Sequence, residues 1–222
     1  AFLALFRNSP AEHPWVNKAE KDLVTGDSQR DQEKPLKLRE LVSQMDRRSI
    51  LNLVAVNAAS TFSSIADHIY SHWIPLFLVV EYQLKYKEMG IYSALPLLGG
   101  ATGGIVGGYL SDWLIRLTGS RRWVRSLVGC FGKAMAALML AIAVLFFFDD
   151  PYLFCGMLFV VKLFADISLT SRWGTVTDVG GKATATVFAF NNSVASFISM
   201  FFPAIYGFVA DNYDWQTVFW MA

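Results

Sequence analysis

The sequence predicts an all-α integral membrane protein, and its composition and the distribution of its charges carry that prediction. Hydrophobic residues make up 54% of the 222 residues and charged residues only 17%, whereas a soluble domain carries about 25% charge. Residues 7–48 alone hold 9 of the 19 basic and 8 of the 18 acidic residues, so the rest of the chain is poor in charge. A disordered chain, a collagen-like chain and a disulfide scaffold are therefore excluded.

Five apolar stretches are long enough to cross a bilayer, which takes about 20 mostly apolar residues in a helix. We predict membrane helices at 49–80, 90–117, 123–148, 151–170 and 183–210. Both chain ends are apolar as well, so residues 1–6 are interpreted as the end of one further helix and residues 215–222 as the start of another. The chain is thus expected to be a fragment that is cut through a membrane helix at each end.

The charges of the connecting loops predict which side of the membrane each loop faces. Loops 7–48, 116–125 and 171–182 are rich in basic residues, whereas loops 81–89, 149–150 and 211–214 carry no basic excess. The two kinds alternate along the chain, so the positive-inside rule assigns the basic loops to the cytoplasm. Acidic and basic residues nearly cancel in 7–48, so we expect no nucleic-acid partner. This loop is interpreted as a solvated tether between two helix bundles, and the alternative is a short helix at residues 34–42 that lies on the membrane face.

Six glycines in the second predicted span repeat every four residues in two sets, which are Gly99/Gly103/Gly107 and Gly100/Gly104/Gly108. Each set lies on one helix face and allows a neighbouring helix to approach closely. One interpretation is that the glycines allow static helix packing. The other is that they form a smooth helix face along which one bundle rocks against another. The glycines do not form a phosphate loop, because no Gly-Lys-Ser/Thr follows them.

A short motif overlaps the end of these glycines. Residues 108–112 read Gly-Tyr-Leu-Ser-Asp, and arginines follow at 116, 121, 122 and 125. The motif resembles the signature loop between the second and third helices of each half in the major facilitator superfamily. The resemblance implies that Gly108 and Asp112 lie at a cytoplasmic helix end, where Arg116 and Arg122 contact an adjacent helix and close the inner face. Trp113 departs from the family pattern, which often has Arg there, and this assigns the loop to the second half, where the motif is commonly degenerate.

Further segments are similar to the anion:cation symporter branch of that family, which includes phthalate, hexuronate and related organic-anion permeases. They are residues 10–20, 73–79, 90–96, the turn from Asp178 to Lys182, and Asn191. The resemblance implies the C-terminal six-helix bundle of the major facilitator fold, truncated at both ends. Residues 1–6 would end helix 6, residues 7–48 would be the cytoplasmic central loop, and residues 49–222 would form helices 7–11 and the start of helix 12. In this fold helices 7 and 10 line the central cavity.

Polar residues inside a membrane helix are costly and therefore indicate function. In the first span, residues 57, 60, 64, 67 and 71 are polar and share one helix face, which we expect to face a water-filled cavity. Asp67 on this face and His68 beside it are candidates for proton coupling, since imidazole titrates near neutral pH. The alternative role for both is an interhelical hydrogen bond. Pro75 is expected to kink the helix near its outer end.

Lys162 and Asp166 lie four residues apart in the fourth span, so their side chains can pair. An unpaired ammonium inside a span would be costly, so Lys162 needs a partner or a bound anion. One hypothesis is that Lys162 attracts the charge of the substrate and Asp166 releases it by competition. The other is a permanent ion pair. In the fifth span, Asn191 and Asn192 are candidates to bind substrate hydroxyls or to bond neighbouring helices.

The resemblance and the polar residues together predict a secondary active transporter of a small organic anion, a carboxylate or sugar acid, with a proton or sodium ion, by alternating access. The alternative is a non-transporting membrane nutrient sensor of the same fold. No nucleophile–base pair or metal-ligand cluster is visible in the sequence, so we predict neither an enzyme nor a cofactor or metal site. The predicted partners are the substrate anion, the coupling cation, the lipid bilayer of a plasma or inner membrane, and a missing N-terminal half of the same protein.

Overall fold

The computed structural model describes residues 14, 16–19 and 46–221. The predicted helix end at 1–6 and nearly all of the predicted loop 7–48 therefore lie outside the described residues. Five helices of the described part are long and apolar enough to cross a membrane, and every regular element in that part is helical. The prediction of an all-α integral membrane fold is confirmed.

The first span contains three helical segments, which are α1 (Arg47–His68), a π-helical segment (Ile69–Trp73) and α2 (Ile74–Val80). Pro75 lies in the first turn of α2. A proline has no amide hydrogen, and its ring clashes with the carbonyl group four residues earlier. The π-helical segment just before it relieves that conflict, because its hydrogen bonds reach one residue further along the chain. Where the sequence predicted a kink, the structure has this wider turn.

Six further α-helices follow, and they are α3 (Tyr86–Thr118), α4 (Arg121–Phe146), α5 (Pro151–Gly180), α6 (Thr184–Ser199), α7 (Phe202–Asn212) and α8 (Trp215–Trp220). A single 3-10 turn, Gly181–Ala183, joins α5 to α6. The predicted span 183–210 corresponds to α6 and α7 together. Pro203 lies in the first turn of α7, a position where the missing amide hydrogen of a proline costs nothing.

The helices extend further into the predicted cytoplasmic loops than the sequence indicated. Only Gly119 and Ser120 separate α3 from α4, and Gly119 ends α3 in a left-handed conformation with φ 67°, which glycine adopts easily. Residues 171–180 were predicted as loop, but α5 continues through them until Gly181, which has φ 49°. The physical reason is that charged residues mark where a chain leaves the bilayer without stopping a helix.

Tyr206 of α7 supports the first span just before the π-helical segment. Its hydroxyl donates a 3.0 Å hydrogen bond to the carbonyl of Ile65. In a regular α-helix the Ile69 amide would donate to this carbonyl, but here it donates to the carbonyl of Ala66. We expect Tyr206→Phe to lower the free energy of unfolding by about 1 kcal/mol, because a buried carbonyl loses a donor. Thermal melting of the purified protein in detergent would measure the loss. Tyr213 is exposed, so Tyr213→Phe is the control, and equal melting temperatures for the two variants would contradict the prediction.

The first glycine set joins α3 to α5, which is the central helix of the bundle and packs most closely on α3 and α4. A Cβ atom at Gly99 or Gly103 would meet a backbone carbonyl oxygen of α5, and one at Gly107 would lie 2.7 Å from an α5 Cα atom. In the second set, a Cβ at Gly104 or Gly108 would have no described atom within 4 Å. The first set therefore serves static packing inside the bundle, whereas Gly104 and Gly108 of the second set face open space in the described chain.

An aromatic cluster closes the end of the bundle where α2, α5 and α8 meet. The ring centroid of the buried Phe77 lies 5.0 to 5.7 Å from those of Tyr82, Phe148, Phe154, Trp215 and Phe219. The hydroxyl of Tyr82 donates to the carbonyl of Phe148, and burial raises the pKa of Tyr82, so the donated proton is retained. This cluster fixes the end of the first span against α5.

Candidate functional site

Lys162 of α5 lies inside the bundle and is held by two carboxylates. Its ammonium group donates to Asp67 Oδ1 at 2.8 Å and to Asp166 Oδ1 at 3.1 Å. Asp67 comes from α1, whereas Asp166 lies one turn further along α5. Only 6% of Lys162 is exposed. We refer to Asp67, Lys162 and Asp166 as the ion triad.

The ion triad has one surplus negative charge when both of its carboxylates are ionised. Charges removed from water are costly unless partners compensate them, and Lys133, which lines the adjoining cavity with Asp67, supplies a further positive charge nearby. The two carboxylates differ in access, since the side chain of Asp67 is 43% exposed and that of Asp166 only 16%. Asp67 is therefore the carboxylate that a cation reaches more easily.

Tyr70 and Gly100 shape the surroundings of the ion triad. The ring centroid of Tyr70 lies 5.5 Å from the ammonium of Lys162, which is within cation–π range. On the side of α3, a Cβ atom at Gly100 would meet Oδ2 of Asp166 and would lie 3.2 Å from Cε of Lys162. The absence of a side chain at Gly100 therefore provides the space that the Asp166 carboxylate occupies.

A cavity of about 400 Å³ lies beside the ion triad. Its lining includes Asp67 and Tyr70 from the first span, Lys133 and Leu140 from α4, and Val161 from α5. Small-molecule sites typically have volumes of about 300–1,000 Å³, so the cavity is large enough for a small organic anion. Within the described residues Lys133 forms no ion pair, and it adds positive charge to the cavity wall.

His68 does not join the ion triad, although it follows Asp67 directly in the sequence. Its Nε2 lies 3.2 Å from the hydroxyl oxygen of Ser199 on α6, and its ring centroid lies 5.2 Å from that of His72. Consecutive side chains on a helix are about 100° apart, so Asp67 faces α5 while His68 faces α6. For His68 the structure has the interhelical hydrogen bond that was the alternative role.

Asn191 and Asn192 lie in different environments. Asn191 is buried, and its Nδ2 donates a 3.0 Å hydrogen bond to Ser60 Oγ on α1. Its Oδ1 is also buried and has no hydrogen-bond partner in the described part of the chain. Asn192 is exposed. Asn191 thus links α6 to α1, whereas Asn192 lies on the surface of the described bundle.

Arg125 near the start of α4 pairs with Asp178 near the end of α5, with 3.2 Å between Nε and Oδ2. The guanidinium group lies against Gly174, where a Cβ atom would meet it. Arg125 was not predicted as a site residue. Four arginines lie between residues 116 and 125, and the sequence does not indicate which of them reaches α5.

The charged residues predicted for the cytoplasmic motif lie on the surface. Asp112, Arg116 and Arg122 are exposed, and none of them forms an ion pair with a residue that the structure describes. Ser111 of the same motif is buried, and its hydroxyl lies 3.3 Å from a serine hydroxyl of α5. The motif therefore contacts its own bundle through Ser111 and leaves its charges exposed.

Tyr70 and Gly100 were also missed by sequence reasoning. Tyr70 follows Asp67 by three residues, a spacing that places both on neighbouring positions of one helix face, and this spacing could have indicated it. Gly100 belongs to a regular glycine pattern. Only its position opposite Asp166 distinguishes it from the other glycines of α3.

The bundle of apolar helices around the ion triad, with its buried Lys162, defines a multi-pass integral membrane protein. Residues 1–179 match the Major Facilitator Superfamily. The match covers well over half of the chain, so the chain belongs to this family. The resemblance drawn from residues 108–112 is confirmed at the level of the family.

Several curated relatives are named as anion transporters. The "Probable L-galactonate transporter" of Escherichia coli (strain K12) is 28% identical over 212 residues, which cover 94% of this chain and 45% of the relative. The "Hexuronate transporter" of the same strain is 30% identical over 153 residues, covering 68% of this chain and 34% of the relative. The "Sodium-dependent phosphate transport protein 4" of Homo sapiens is 20% identical over 226 residues, covering 96% and 51%. The chain spans about half the length of these relatives or less.

Proposed function

We propose that the protein is a secondary active transmembrane transporter that moves a small organic anion, a carboxylate or sugar acid, with a proton or sodium ion by alternating access. The observation that carries the proposal is the ion triad, in which a buried ammonium inside a membrane helix is shared by carboxylates from two helices. Ionisable groups at such positions mark substrate and ion pathways. The names of the relatives support an anion as the cargo.

In the complete transporter, this chain supplies the C-terminal helix bundle. Residues 49–222 form that bundle, residues 7–48 are the tether to an N-terminal bundle, and residues 1–6 end the preceding helix. The basic loops 7–48, 116–125 and 171–182 face the cytoplasm. Relatives of roughly twice the length support this arrangement. The substrate then binds between the two bundles, and the N-terminal half contributes the rest of the site.

Lys162 provides the positive charge that attracts the anion. A carboxylate of the substrate competes with Asp67 and Asp166 for the same ammonium, and the return of Asp166 releases the substrate again. A sugar acid also carries hydroxyl groups, for which the exposed Asn192 supplies a donor and an acceptor. The amide of Asn191 is held by α1 and contributes mainly by keeping α6 in place.

Asp67 takes up the coupling cation, because it is the more exposed carboxylate of the ion triad. A proton or sodium ion on Asp67 weakens its hold on Lys162, so the ammonium becomes available to the anion. Binding of either solute then favours binding of the other, as thermodynamic linkage requires. His68 faces α6 and serves as a second proton-accepting group outside the ion triad.

The residues at the cytoplasmic ends of the helices close the inner face. Motif residues 108–112 with Arg116 and Arg122 contact the N-terminal bundle when the transporter is closed to the cytoplasm. The exposure of Asp112, Arg116 and Arg122 in the described chain supports this role. Asp178 acts within the C-terminal bundle, where its ion pair with Arg125 holds the ends of α4 and α5 together.

The proposal is tested by uptake into liposomes that contain the protein expressed from its complete gene. Labelled galactonate and glucuronate are offered under an inward proton gradient and, separately, under an inward sodium gradient. We expect saturable accumulation of at least one acid under one of the gradients. Glucose, a neutral sugar of similar size, is the control cargo and should not accumulate.

Three outcomes would contradict parts of the proposal. Accumulation of glucose without either acid would contradict an anion site. Equilibration without accumulation under both gradients would contradict coupling to a cation. Binding of an acid without any transport would favour the membrane nutrient sensor, the alternative function for this fold.

A further inference from the structure

The contact between Gly100 and the ion triad indicates a specific role for one glycine of α3. We propose that Gly100 is a positioning residue that holds Asp166 against Lys162 and thereby leaves Asp67 as the carboxylate that exchanges with the coupling cation. This role rests on the proposed transport function, and it assigns different tasks to the two carboxylates of the same site.

Gly100 differs from its neighbours in what its missing side chain makes room for. A Cβ atom at Gly99 or Gly103 would meet the backbone of α5, and one at Gly104 would have no described atom within 4 Å. A Cβ atom at Gly100 would instead meet Oδ2 of Asp166. Of these four glycines, Gly100 is the one that acts on a side chain of the ion triad.

Asp166 is held in place more firmly than Asp67. It lies on the same helix as Lys162, its side chain is 16% exposed, and it is backed by α3, which packs closely on α5. Asp67 is 43% exposed, lines the cavity and comes from α1, whose closest packing partner is α6. When a cation binds Asp67, the bridge from α1 to α5 opens while Asp166 retains the ammonium. Binding of the cation thus weakens the contact between α1 and the three closely packed helices α3, α4 and α5.

The test is Gly100→Ala in the protein expressed from its complete gene, with uptake measured at increasing concentrations of the coupling cation. The added methyl group pushes Asp166 away from Lys162, so the ammonium holds Asp67 more strongly and the cation competes less well. We expect the half-saturating cation concentration to rise about 10-fold. Gly99→Ala is the packing control, since it separates α3 from α5 and should lower stability and uptake rate without that rise. Gly104→Ala reports the effect of an alanine in this helix without a new contact.

A second background separates positioning from packing. In an Asp166→Ala protein the Asp166 carboxylate is gone and only the 3.2 Å approach to Cε of Lys162 remains, so Gly100→Ala should change the cation dependence much less. A rise of the same size in this background, or one that also appears with Gly99→Ala, would overturn the positioning role. If the parent protein transports no anion, the transport function fails, and the positioning role is then tested by melting temperatures in detergent. Non-additive losses for Gly100→Ala and Asp166→Ala support it, whereas additive losses overturn it.

Discussion

Replacement of Lys162 by alanine is expected to reduce the initial rate of anion uptake by at least about 100-fold. The variant leaves Asp67 and Asp166 facing each other without the ammonium that both contact. Loss of one partner from a buried, hydrogen-bonded charge pair costs about 2–5 kcal/mol of binding free energy, and each 1.4 kcal/mol corresponds to about tenfold. Breaking the ion pair also costs about 3–5 kcal/mol of folding free energy. Uptake into liposomes and thermal melting in detergent measure the two consequences separately.

A charge-neutral triple variant distinguishes anion binding from a purely structural ion pair. Lys162→Met combined with Asp67→Asn and Asp166→Asn removes all three charges at similar volume, so we expect the melting temperature to recover. If Lys162 binds the substrate, uptake stays lost in this variant. Recovery of both stability and uptake would contradict the anion site. Lys87 is an exposed lysine at the start of α3, and Lys87→Ala serves as the control for loss of one positive charge.

Gly103→Val is expected to have a large effect on folding. A Cβ atom at this position would meet a carbonyl oxygen of α5, and a backbone carbonyl cannot rotate away as a side chain can. The two helices must separate, and overpacking of a well-packed interior costs typically about 1–3 kcal/mol or more. A lower melting temperature and a smaller yield of monodisperse protein in detergent are the measurements.

Gly104→Val provides the matched control for this change. The two glycines are adjacent, so helix propensity and hydrophobicity change alike, but a side chain at Gly104 enters open space in the described chain. We expect the melting temperature of Gly104→Val to stay close to that of the parent. If the two variants melt at the same temperature, the packing of α3 on α5 does not depend on the first glycine set.

The sequence predicted the members of the ion triad but not their assembly. Lys162 and Asp166 could be paired in advance, because residues four apart share one face of a helix. Asp67 was placed on a polar face of another helix, and no sequence signal joined it to Lys162. The same limit explains why Asp67 and His68 were grouped, although they face different helices in the structure.

The positions of helix ends show a second limit of sequence reasoning. The predicted start of the fourth span at Pro151 agrees with α5, since proline favours the first turn of a helix. Its end was placed ten residues too early, because polar and charged residues from 171 onward were interpreted as loop. These side chains lie on a helix that continues to Gly180.

The sequence by itself determined that this protein is a helical membrane bundle and that a few charged residues lie inside it. Both follow from hydrophobicity, which is a property of each segment and can be evaluated along the chain. The tertiary structure decided which of these charges meet. Contact between two helices depends on their rotation and separation, and here the packing of Gly99, Gly103 and Gly107 on α5 sets both for α3. That packing places Gly100 against Asp166, and so it defines the site around Lys162.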